Sequence, residues 1–205
     1  MKTTSIIVFV CIVAMGGFVW YSISGGEEDV TSYVAEIEKE RQEQQVFMQS
    51  DPNSPFILEK KEFTSLKYFP VDGRYRIKAD LEPIENKEVV ILITSDGLQQ
   101  SYLQYAYAVF EIDKQPCKLL ILEVMQMGPQ RGTLFLAFAD ATSAVETYGA
   151  GRYLSVKKVK GANTMEIDFN KAYNPYCAYV DNFSCPFPPR ENMLKVAIRA
   201  GEKNY

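Results

Sequence analysis

From Tyr75 onward the chain alternates, with Tyr75, Ile77, Ala79 and Leu81 interleaved with Arg76, Lys78, Asp80 and Glu82. Successive side chains of an extended strand point to opposite faces, so a period of two means one face buried and one wet. Residues 88–94 (EVVILIT) and 133–139 (TLFLAFA) are apolar on both faces, which suits central strands. Residues 102–112 and 117–125 flank Asp113-Lys114-Gln115-Pro116, a hairpin loop. Further strands are expected at 152–159, 163–169 and 193–200, the last with Leu194, Val196, Ile198 and Ala200 alternating. The pattern predicts a mostly β fold, an antiparallel barrel or sandwich of about seven or eight strands, with no long helix between them. The 13 Tyr and 12 Phe beside a single Trp agree, since strands favour such rings.

Upstream the pattern is different. No charged side chain occurs from Thr3 to Gly26, and Ile6 to Ile23 is about as long as a hydrocarbon span requires. The expectation is a cytoplasmic tip and transmembrane helix over residues 1–26, with a cleaved signal peptide ending near Ser22-Ile23-Ser24 as the alternative. Lys2 precedes this run, and Glu27, Glu28 and Asp29 follow it. By charge bias that makes a signal-anchor, single-pass in the inner membrane, with the C-terminal domain in the periplasm or outside the cell. Gly16-Gly17 would let the span pack against a neighbouring helix. Residues 27–53 read as an acidic helical stalk with a sparse apolar stripe of Val30, Val34 and Ile37, broken by the polar run at 51–55. The mostly β domain then occupies 54–205.

Charge narrows the partners. Residues 27–50 hold seven acidic and two basic side chains, whereas residues 51–205 balance at 19 against 19. A neutral domain offers no basic stripe to a phosphate backbone, so nucleic acid is not an expected partner. The chain has no His. Without imidazole there is no Ser-His or Cys-His pair and no His ligand, which removes several common hydrolase and metalloenzyme designs; no metal site and no cofactor is expected.

The densest set of unusual residues lies in the C-terminal third: FADATSAVETYGAGRYL at 138–154, DFNKAYNPYCAY at 168–179, CPFPPREN at 185–192 and AGEKNY at 200–205. With FTSLKYFPVDGRYR at 63–76, these motifs resemble the bacterial family known as domain of unknown function 1684, over roughly residues 30–205. The resemblance implies little about activity. Ser155 and the pair Ala144-Val145 depart from the acidic and glycine residues expected at those places.

Within these motifs Glu146, Tyr148, Arg152, Asp168, Asn170 and Asn174 are the candidate ligand-binding residues. Arg152 presents a planar fork of donors suited to a carboxylate or phosphate, or else to an internal pair with Glu146 or Asp168. Asp140, Glu146 and Asp168 could supply an acid and a base if two of them met in a cleft, or could cap turns. The amides of Asn170, Asn174 and Asn192 can read a ligand or close a loop. Tyr148, Tyr153, Tyr173 and Tyr176 could line a pocket or fill the core. Cys177 and Cys185 could form a disulfide in an exported domain, remain two thiols, or make part of a metal or reactive site.

Two functions follow as expectations. One is a membrane-anchored, extracytoplasmic binding or accessory module whose partner is a small polar ligand or a membrane protein complex. The other is an enzyme, a hydrolase or lyase of a small polar substrate, with Glu146 or Asp168 as acid/base and Arg152 as anion clamp.

Overall fold

The computed structural model describes residues 29–158 and 161–205. The expected span at 6–23 lies outside them. Among the described residues no helix is long and apolar enough to cross a membrane. The expected anchor, the single-pass topology, the membrane partner and the periplasmic address therefore find no support among the described residues and are not carried further. The long helix that is described, α1 at residues 29–50, is rich in Glu and Gln.

The chain forms two compact units, Met1–Gln42 and Glu43–Tyr205. In the first, Tyr33 and Ile37 are buried while Val30 is exposed. In the second, the end of α1 is part of the fold and not a stalk standing clear of it. Met48 is buried with Phe56, Leu66, Tyr179 and Val180, and the Gln45 amide both donates to the Leu66 carbonyl and accepts from its N–H, each at 3.0 Å. The short helix α2 (Pro55–Leu58) follows, capped by Ser54, whose hydroxyl accepts from the Phe56 N–H.

Seven strands then make one antiparallel sheet: β1 (Arg76–Pro83), β2 (Val89–Ile93), β3 (Gln99–Ile112), β4 (Gln115–Val124), β5 (Leu134–Phe138), β6 (Arg152–Val156) and β7 (Thr164–Asp168). The spatial order is β6-β5-β4-β3-β1-β7, with β2 paired only to β3. This is neither of the two expected architectures, since among the described residues there is one sheet and no closed ring of strands. The sheet curls into a half-barrel. Leu154 and Val156 from one end and Met165 and Ile167 from the other share a single core cluster with Ala108, Leu119 and Leu136 from the middle. A bulge at Tyr105 supports the curl, because it falls where β3 exchanges β2 for β1 as its neighbour.

Two local expectations change. The hairpin between β3 and β4 turns on two residues, Asp113 and Lys114, both with positive φ (50° and 62°), as a tight primed turn requires. Strand β2 is not central. Leu92 packs inward, while Val89, Ile91 and Ile93 are 51%, 56% and 46% exposed.

The alternating run 193–200 makes only an isolated bridge, Ala139 to Met193, although Val196, Ile198 and Ala200 are buried as the alternation requires. Leu194 and Val196 each make one backbone bond to residues 139–141, and beyond these side chains take the place of a neighbouring strand. The Ile198 N–H donates to Asp140 Oδ1 at 3.1 Å. The guanidinium of Arg152 donates to the carbonyls of Ile198, Ala200 and Glu202. Alternate carbonyls of an extended chain point the same way, so one planar cation can serve three of them.

Candidate functional site

The motif-bearing segments meet at the end of β6. Tyr153 and Tyr173 exchange backbone hydrogen bonds (2.8 and 3.0 Å), so their side chains leave the sheet on one face while Arg152, on β6, leaves on the other.

On the core side lies a sealed cluster of polar groups. Arg152 is 1% exposed, and its Nη2 sits 2.9 Å from Asp140 Oδ2. Asp140 is fixed in turn by the Thr142 N–H and hydroxyl at 2.8 and 2.7 Å. Beside it the Glu202 carboxylate, also 1% exposed, accepts from the Tyr179 hydroxyl and from the Asn174 N–H at 3.0 Å. Burial pushes the Glu202 carboxyl up to about 7, with the hydrogen bonds from Tyr179 and Asn174 and the Arg152 charge opposing. Burial likewise draws the Arg152 guanidinium below its ordinary value, against the pull of Asp140. Arg152 Nε and Asn174 Oδ1 are buried without a hydrogen-bond partner among the described residues.

The six candidate residues therefore separate. Arg152 and Asn174 are brought together through Glu202. Asp168 and Asn170 form another clasp, in which Asp168 Oδ1 accepts from the Asn170 N–H and Nδ2, and Asn170 binds the Asp72 backbone through both amide atoms. Glu146 pairs with Arg199 at 2.9 Å in a more exposed place. Tyr148 donates weakly to the Cys177 carbonyl at 3.4 Å, and burial raises its hydroxyl. The internal partner of Arg152 is Asp140, neither Glu146 nor Asp168. Cys177 and Cys185 are joined by a disulfide with a Cα–Cα distance of 6.3 Å. Among the described residues no three His, Cys, Asp or Glu side chains gather in a way that could hold a metal ion.

Two buried residues were not singled out from the sequence. Glu202 sits in the AGEKNY motif, where an acid next to alternating core positions is the available signal. Tyr179, in the AYNPYCAY stretch, carries none beyond its aromaticity.

On the opposite face of the sheet is a cleft of about 500 Å³. Its rings come from Tyr102, Phe135, Tyr153, Tyr173 and Tyr176. Tyr102 stacks on Phe135 with centroids 5.3 Å apart, Phe135 meets Tyr153 edge-on at 4.8 Å, and Tyr153 meets Tyr173 edge-on at 6.0 Å. Gln100, Gln126 and Gln130 bring amides to the same cleft, and no lining side chain is charged. The Tyr153 hydroxyl donates to the Pro186 carbonyl at 2.6 Å, so it braces the wall. Burial pushes the Tyr102 hydroxyl up to about 12. These phenols are neutral donors and not nucleophiles.

Glycines set the fit between the two sides. Gly151 has φ +91°, and a Cβ there would lie 2.6 Å from the Phe138 carbonyl oxygen and 2.7 Å from Pro188 Cγ. Asn192, in the CPFPPREN motif, ties β4 to β5 by accepting from the Leu120 N–H and donating to the Leu120 and Ala137 carbonyls.

Fold and site together define a half-barrel protein with an uncharged aromatic cleft on one face and a sealed charge cluster on the other. The chain belongs to the family described as protein of unknown function (DUF1684), whose model matches residues 61–203. A solution NMR structure of the uncharacterized protein from gene locus rrnAC0354 of Haloarcula marismortui is 34% identical, with a TM-score of 0.65 over 86% of this chain and 97% of that one. No curated protein matches.

Proposed function

We propose that this chain takes a small, uncharged polar molecule into the aromatic cleft. The carrying observation is the cleft itself: about 500 Å³, five aromatic rings, three glutamine amides and no charged side chain. That volume is within the range of ordinary ligand pockets, and an apolar lining with a few amides is the usual composition of one. The buried cluster supports this reading as a brace, because Arg152 and Asn174 hold the backbone that carries Tyr153 and Tyr173. An NMR screen of the full chain against mixed uncharged and charged fragments tests it. Uncharged fragments should shift the amides of residues 124–130, 153 and 173, and Phe135→Ala should abolish those shifts. Binding confined to charged fragments, or shifts elsewhere, would overturn the reading.

A second reading makes the chain an enzyme, a hydrolase or lyase of a small polar substrate. It is favoured by the buried ion pair of Arg152 with Asp140 and by the adjacent Glu202, whose carboxyl is pushed up to about 7. A carboxyl in that range can give or take a proton near neutrality, and perturbed groups of this kind gather at active sites. The acid/base role then falls to Glu202, with Arg152 as the clamp, and a substrate reaches them only if the segment 198–202 moves aside. Turnover by wild type that vanishes in Glu202→Gln, with the fold intact by circular dichroism, is the expected result. Equal turnover in both would remove this reading.

A further inference from the structure

We infer that the ligand of the aromatic cleft is a neutral carbohydrate, bound through the ring faces of one or two pyranose units. This rests on the cleft being the binding site. Its lining has two parts that match the two parts of such a sugar. A pyranose ring has apolar C–H faces and a rim of hydroxyls that both donate and accept. The half-buried rings of Phe135, Tyr173 and Tyr176 offer apolar surface for the first. The glutamine amides offer paired donors and acceptors for the second.

The polar groups are placed for this use. Gln100 is already held, accepting from the Tyr102 hydroxyl at 2.8 Å and reaching the Ser184 carbonyl at 3.4 Å. Gln126 donates to the Ser101 carbonyl at 3.1 Å, which fixes its side chain and leaves its Oε1 for a ligand hydroxyl. Gln130 and the Tyr176 hydroxyl have no side-chain partner among the described residues. A purely aromatic ligand would use none of these groups, whereas a rim of hydroxyls can bond each of them. A phosphorylated or acidic sugar finds no cation in the lining, so its charge would be desolvated without compensation.

The experiment is a titration of the full chain, followed by NMR shift mapping and calorimetry, with methyl β-glucoside, cellotriose, maltotriose and chitotriose. Glucose 6-phosphate, glucuronate and indole are run beside them. At least one neutral oligosaccharide should bind and shift residues 124–130 and 173–176, while both charged sugars bind at least tenfold more weakly. Tyr176→Ala and Gln126→Ala should each weaken that binding by about tenfold. Gln126 lies outside the core clusters, while Tyr176 packs at the margin of the Met48–Phe56 cluster, so circular dichroism checks the fold of both variants before titration. Indole binding in the cleft without any sugar would overturn the carbohydrate assignment and leave the cleft as the site. No shift in the cleft with any of the probes would overturn both.

Discussion

Single residues account for most of the motif. Arg152 looked from sequence like an anion clamp, and its chemistry is that of a clamp, but what it holds is Asp140 and three carbonyls of its own chain. Nothing in residue spacing distinguishes these outcomes, because the partners lie between 12 and 50 positions away. Ala144 is a different case. It has φ +64°, a left-handed backbone that favours glycine, and the family resemblance expects a glycine at Ala144-Val145. Ala144→Gly should therefore raise stability by about 0.5–1 kcal/mol, the relief of strain exceeding the added freedom of the unfolded chain. A urea unfolding midpoint that falls instead would contradict the assignment of strain.

Elements were legible where one face is wet. The period-two run from Tyr75 is strand β1, because alternation of polarity reports burial directly, whereas the run at 133–139, apolar on both faces, holds β5, and the runs expected at 152–159 and 163–169 hold β6 and β7. Strand β2 misled because VVILI is apolar on both faces, which composition cannot distinguish from a central strand. The run at 193–200 misled for the opposite reason, since its alternation is real but beyond two backbone bonds to residues 139–141 it is held by the side chains of Asp140 and Arg152. The loop closed by Cys177 and Cys185 carries Phe183, which packs edge-on against Tyr176 at 5.1 Å, and it leads directly into Pro186 of the cleft wall. Reducing the disulfide should lower unfolding stability by roughly 2–3 kcal/mol, as expected for so short a closed loop. Urea unfolding with and without a thiol-free reductant measures this, and coincident curves would show that the bridge adds nothing to stability.

At the scale of the whole molecule, the curl of the sheet was beyond sequence reading. It depends on Leu154 and Met165, from strands at opposite ends of the sheet order, reaching one core. The cleft was legible only in part: Tyr153, Tyr173 and Tyr176 lie in the motifs and stand among the candidate pocket residues, whereas Tyr102, Gln126 and Phe135 come from other segments. The Glu202 carboxyl couples this architecture to pH. Burial raises it from 4.5 to about 7 in the folded protein, so the native state binds its proton more tightly than the unfolded chain. Its contribution is fully present below pH 4.5 and is lost as the pH rises through 7, a change of roughly 3 kcal/mol. Urea unfolding at pH 5 and pH 8 should show wild type losing most of that amount relative to Glu202→Gln. Parallel pH dependence in the two proteins would place the proton elsewhere.

The outward face of β2 bears on how the domain behaves in concentrated solution. Five successive β-formers, Val89 to Ile93, lie on a strand whose inner edge pairs with β3 and whose outer edge meets the chain near Ile93, where the Phe187 N–H donates to its carbonyl. A short, uncharged, strand-forming stretch at a sheet border is the composition from which cross-β self-association starts. Lys87 and Glu88, immediately before it, act as gatekeepers at one end, so substituting either by an apolar residue trades colloidal stability for nothing that the fold requires.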